Sequence, residues 1–137
     1  MSRTTSLPIA ADDDVVRVRS EVRDLALGVG FDRFSVVAIA TAASELARNT
    51  WIHGRGGTAT VEEVEEHGLR GLRITFRDSG PGIADIERVL KGGYSTRRSL
   101  GLGLSGAQRL VDEFKLDSTV GVGTVVVVAK WAHSACR

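Results

Sequence analysis

The sequence predicts a two-layer α+β sandwich, with helices on one face of a mixed, mostly antiparallel sheet. Three observations predict it. Apolar residues recur at helical spacing through most of residues 12–53. Alternating or β-branched runs then dominate, at 58–66, 69–78 and 114–131. One further helical stretch, near 104–113, interrupts those runs. A chain of 137 residues suits a single domain over 1–137 built on one core.

Taken in order, "LPIAA" at 7–11 reads as a short edge strand, where Pro8 is tolerated. The aspartates of "DDDVVRVRSEVRDLALGVG" suit a helix N-terminus, as caps and as partners of the helix dipole. Val15, Val18, Val22, Leu25 and Val29 then repeat at threes and fours, and Gly28 and Gly30 end the helix. A second helix is expected over 32–53, packing through Ile39, Ala43, Leu46, Ala47 and Thr50, with "HGRGG" as its breaker. The run at 69–78 alternates Leu72, Ile74 and Phe76 against Arg73, Thr75 and Arg77, and "HG" at 67–68 is the turn before it. "DSGPGI" is a loop and "ADIERVLKGG" a short helix. After the helix near 104–113, "FKLDST" and "TVVVVAKW" form two last strands around the turn "VGVG".

Composition narrows the function classes. A net charge of +1 supplies no bulk pull toward nucleic acid or an anionic membrane. The single cysteine, Cys136, precludes an internal disulfide and fits a reducing compartment. No signal peptide or membrane-spanning stretch is evident, so a cytoplasmic protein is expected.

Three segments could carry chemistry. In "DSGPG" at 78–82, Asp78 closes a strand, and Gly80 and Gly82 leave the backbone open to a ligand. A carboxylate there can accept from an amino group such as that of adenine, although alone it reads first as a turn aspartate. "GLGLSG" at 101–106 is a G-x-G-x-x-G run that opens a helix. No strand precedes it, so a dinucleotide fold is rejected and a phosphate site or a plain hinge remains. Arg97 and Arg98 stand just upstream, within reach of a phosphate or simply solvated. In "SELARNTWIH", Glu45, Asn49 and His53 lie four apart on one helix face. Asn offers an amide oxygen suited to Mg²⁺, and Glu can take a proton. Both could equally be solvated.

As an ordered set these segments resemble the Bergerat ATP-binding fold of the GHKL superfamily, which includes histidine kinases, gyrase, Hsp90 and MutL. "ELARN" matches its N box, "DSGPG" and "GLGLSG" its two glycine boxes, and "GVGT" at 121–124 its last segment. The resemblance covers about residues 12–131. The chain leaves no room for a phosphoacceptor or transducer domain, so it looks like the serine kinase and anti-sigma branch. There it resembles the RsbT-like serine/threonine kinases of the stressosome, with RsbW-like anti-sigma factors as the close second. Two arginines in the expected nucleotide lid depart from a plain glycine-rich lid.

The resemblance implies a kinase using ATP and Mg²⁺. By it, Asp78 would accept from the adenine amine with support from Thr124, and Gly80 and Gly82 would let the base lie against the backbone. Asn49 would hold Mg²⁺. Arg98, Gly101, Gly103 and Gly106 would surround the phosphates. Glu45 would be the general base toward a serine hydroxyl. The implied substrate is a small STAS-domain protein of the RsbS-like kind, and the implied downstream partner an RsbU-like phosphatase. On the anti-sigma alternative, the partner is a sigma factor.

Overall fold

The computed structural model describes residues 3–86 and 104–132. Its elements are β1 (Thr4–Ile9), α1 (Asp12–Val29), α2 (Arg33–Ile52), β2 (Gly57–Glu66), β3 (Leu69–Asp78), α3 (Leu104–Leu110), β4 (Glu113–Thr119) and β5 (Gly123–Trp131). The expected α+β sandwich is present. The expected helix over 84–93 lies outside the described residues from position 87 onward.

The five strands lie in the order β1-β2-β3-β5-β4. Every strand pair among the described residues is antiparallel, in line with the mostly antiparallel sheet expected. The reason lies in the last hairpin. β4 runs in the same direction as β3, but β5 inserts between them, so each strand meets only neighbours of opposite direction.

Local chemistry explains most boundaries. The hairpin joining β2 to β3 turns at His67 and Gly68, both with positive φ, the conformation a two-residue turn matched to strand twist requires. Asp32 caps α2 by accepting from the N–H of Ser35 at 2.8 Å. The cap of α1 differs from expectation. Ala11 occupies the cap position with no side-chain bond. Asp14, two residues into the helix, reaches back to the Ala10 N–H at 2.8 Å instead, and Asp12 accepts from Trp51 Nε1 at 2.7 Å. α3 is shorter than expected because two-residue alternation takes over early. The Asp112 N–H already bonds to the Ala129 carbonyl at 2.9 Å, and Phe114, Leu116 and Ser118 then share one face.

Val15, Val18, Val22, Leu25 and Val29 of α1 and Ile39, Ala43, Leu46, Ala47 and Thr50 of α2 are all buried, as their spacing predicts. They pack on Ala59, Val61, Leu72, Ile74, Phe76, Val126 and Val128 of the sheet, forming one core. Burying such side chains supplies about 1.5–3 kcal/mol each, which fixes both layers rigidly around the site described next.

Candidate active site

The inward face of the sheet is built in rows, because side chains opposite one another on adjacent strands point the same way. One row is Ala59, Phe76, Val126 and Leu116. The next row toward the sheet's end is Gly57, Asp78, Thr124 and Ser118. An apolar core thus gives way in one step to a carboxylate flanked by hydroxyls.

The C-terminal half of α2 roofs this polar row. Between them lies a narrow cleft that opens to solvent. Leu46, Phe76, Ile83, Leu104 and Val126 supply its apolar walls, and Asn49, Thr50, His53, Asp78 and Thr124 its polar groups. Asn49, Asp78 and Thr124, which come from three distant parts of the sequence, meet there. Glu45 stands one helical turn before Asn49, partly buried and away from the cleft lining. Arg98, Gly101 and Gly103 lie outside the described residues, as does Arg97. Gly106 is exposed on α3, and a Cβ there would meet open space.

Asp78 is held from two sides. Its Oδ1 accepts from the Gly80 N–H at 2.8 Å, across a two-residue turn. Behind it sits Gly54, where a Cβ would run into the carboxyl carbon and Oδ2 of Asp78. Gly80 in turn faces Gly54: its own Cβ would come within 2.8 Å of the Gly54 Cα and carbonyl oxygen. The space left by Gly80 is therefore occupied by protein backbone. So is that left by Gly82, at φ 79°, whose Cβ would strike the Thr119 carbonyl. His53 Nε2 donates to the Gly82 carbonyl at 3.3 Å and ties the end of α2 to the glycine loop.

Sequence reasoning missed two of these residues and left a third without a role. Ser118 is visible only through the two-residue period it shares with Phe114 and Leu116. Gly54 reads in the sequence as part of a helix breaker, and nothing local connects it to Asp78. His53 had the right helical spacing but no identifiable partner. Chemically, the closed end of the cleft offers hydrogen-bond acceptors between apolar walls, an arrangement suited to a flat heteroaromatic ring that carries an amine. Among the described residues no three His, Cys, Asp or Glu side chains gather as metal ligands. No helix among them is long and apolar enough to cross a membrane.

Residues 9–130 match the family model described as the histidine kinase-like ATPase domain. The chain is 40% identical to the serine/threonine-protein kinase RsbT of Bacillus subtilis over 131 residues, spanning 96% of this chain and 98% of that one. It is 33% identical to an anti-sigma F factor of Thermoanaerobacter over 104 residues, 72% of each chain. Among solved structures, the RsbU and RsbW domains of Rv1364c from Mycobacterium tuberculosis superpose with a TM-score of 0.66 at 20% identity, covering 98% of this chain and 34% of that one. The histidine kinase domain of a blue-light activated kinase from Erythrobacter litoralis gives a TM-score of 0.51 at 19% identity, covering 90% and 60%. At these identities the two structures speak for the fold alone.

Proposed function

The chain belongs to the histidine kinase-like ATPase domain family as a protein serine/threonine kinase, and we propose that it phosphorylates a small STAS-domain antagonist and changes partner once it has done so. The observation that carries this reading is the 40% identity to RsbT across almost the full length of both chains. The placement of Asn49, Asp78 and Thr124 around one cleft supports it.

In this reading ATP lies in the cleft with its adenine amine donating to Asp78 and Thr124 at the closed end. The phosphates extend past Asn49 toward Gly106, and the motif alone assigns Arg98, Gly101 and Gly103 to them. Asn49 would hold a Mg²⁺ ion through its amide oxygen, a hard donor suited to that ion. When bound, the ion neutralises phosphate charge. Glu45 removes the proton from the partner's hydroxyl. That oxygen then bonds to the γ-phosphorus, and the bond to the bridging oxygen breaks as ADP leaves with its electron pair. Positioning and charge neutralisation do most of such catalysis, so one base beside one metal ligand on a single helix face is a sufficient set. Glu45 and Asn49 sit four apart for this reason.

Gly80 and Gly82 act in this scheme by shaping the loop under the base, and Gly54 by leaving room for the Asp78 carboxylate. Gly54→Ala is expected to lower ATP affinity about tenfold or more with far-UV circular dichroism unchanged, because the added methyl displaces a charge-assisted acceptor. Titration calorimetry with ATP checks this, and unaltered affinity would show that the contact does not position the carboxylate.

The protein works in the cytoplasm, where the phosphorylated antagonist releases the kinase to engage an RsbU-like phosphatase. A second reading, that the chain sequesters a sigma factor, is favoured by its 33% identity to an anti-sigma F factor. Affinity purification from the native cell separates the two. A STAS-domain protein as the stoichiometric partner is the expected result. A sigma factor in that place would overturn the first reading and leave the ATP site standing.

A further inference from the structure

Ser118 takes no part in the scheme above, yet it stands beside Thr124 in the polar row and its hydroxyl has three partners. Its Oγ accepts from the Ile83 N–H at 2.8 Å, donates to the Gly123 carbonyl at 3.2 Å, and lies 2.7 Å from Thr124 Oγ1. A serine hydroxyl has one proton and two lone pairs. The Gly123 carbonyl can only accept, so it takes the proton. The Ile83 N–H can only donate, so it takes one lone pair. The remaining lone pair is left for Thr124, and the short O···O distance is that of a full hydrogen bond. In the arrangement that satisfies all three contacts, Thr124 donates its proton to Ser118.

We propose that Ser118 sets the direction of the Thr124 hydroxyl, making the closed end of the cleft an acceptor-only wall that selects a 6-amino purine nucleotide over a 6-oxo one. The inference rests on the reading of this cleft as the ATP site. Thr124 lies opposite Asp78 on the neighbouring strand, so its outward lone pairs and the Asp78 carboxylate stand side by side. An exocyclic amine, carrying two N–H bonds, satisfies such a wall directly or through a bridging water. A carbonyl at the same position meets two acceptors and leaves both unpaired, which is how a polar site rejects the wrong ligand most strongly. Ser118 touches no ligand itself: it is a positioning residue. It also ties the loop at Ile83 to β5, so a purely structural role is the competing explanation.

ATP and inosine triphosphate, which differ at the 6-position in this way, separate the two explanations. Their affinities are measured by titration calorimetry for wild type, Ser118→Ala and Thr124→Val, with thermal midpoints recorded for each. Wild type should prefer ATP. In Ser118→Ala the Thr124 hydroxyl is free to rotate and donate to a carbonyl, so the ATP-to-inosine-triphosphate ratio should narrow about tenfold. In Thr124→Val the ratio should narrow as well, and Ser118→Ala added to it should change the ratio no further. If Ser118→Ala weakens both nucleotides equally, or Thr124→Val keeps the wild-type ratio, the proposal is overturned while ATP binding stands. If wild type binds neither nucleotide, the ATP site itself falls and this inference with it. Should Ser118→Ala fail to fold, Ser118→Cys takes its place, because a thiol is a weak acceptor for the Thr124 hydroxyl, and an unchanged ratio there overturns the proposal.

Discussion

Asp78→Asn is expected to abolish useful ATP binding, although the two side chains are nearly the same size. The Gly80 N–H requires an acceptor at the Oδ1 position, where it sits at 2.8 Å. In the variant, the only oxygen of the amide is drawn there. Its NH₂ group then occupies the place of Oδ2 and faces the purine amine, donor against donor. A hydrogen bond to a charged group contributes roughly 1.5–3 kcal/mol, so affinity should fall about ten- to 150-fold before the repulsion is counted. Titration calorimetry with ATP and Mg²⁺ measures the loss. An affinity equal to wild type would remove the adenine from this end of the cleft. The fold should survive the change, because Asp78 is the last residue of β3 and the core row beneath it is untouched.

Glu45→Ala should have the opposite profile: ATP affinity within a few-fold of wild type, and phosphoryl transfer slower by about 10²–10⁴. Glu45 does not line the cleft, so its removal takes nothing from the nucleotide. It stands one turn from Asn49 on the same helix face, and in the proposed mechanism it acts on the acceptor hydroxyl rather than on the nucleotide. Radiolabelled transfer to a co-purifying partner reads the rate, and transfer at the wild-type rate would eliminate Glu45 as the base. The pair of variants separates binding from chemistry, since each is expected to spare what the other destroys.

Much of this arrangement was legible in the chain. The helical period of α1 and α2 and the alternation of β3 gave the two layers, because burial of one face writes its period into the sequence. Asn49, Asp78 and Thr124 were found as members of an ordered set of motifs, and the structure brings them to one cleft. What stayed hidden depends on register and on strand order. Ser118 lies far from Asp78 along the chain and joins it only because β5 inserts between β3 and β4. No local preference announces that insertion. Gly54 was hidden for a related reason: its need for a bare Cα comes from a carboxylate on another strand. Gly80 and Gly82 were expected to make room for a ligand, but the space they leave is filled by Gly54 and Thr119 backbone. The end of α3 was overestimated because pairing with β5 already takes the Asp112 N–H, which a helix running to 113 would have used.

Release of the partner on phosphorylation tests the central claim most directly. A phosphate on serine adds about −1.5 to −2 charges, and at a packed interface that charge is repelled and costly to desolvate. The complex of this protein with the proposed STAS-domain partner is immobilised and washed with Mg-ATP, and the partner remaining is weighed against its phosphorylation by mass spectrometry. Wild type should lose the partner as the serine is modified, while Glu45→Ala should hold an unmodified partner under the same wash. Release from Glu45→Ala at the wild-type rate, or a wild-type complex that persists after the serine is fully phosphorylated, would contradict the account.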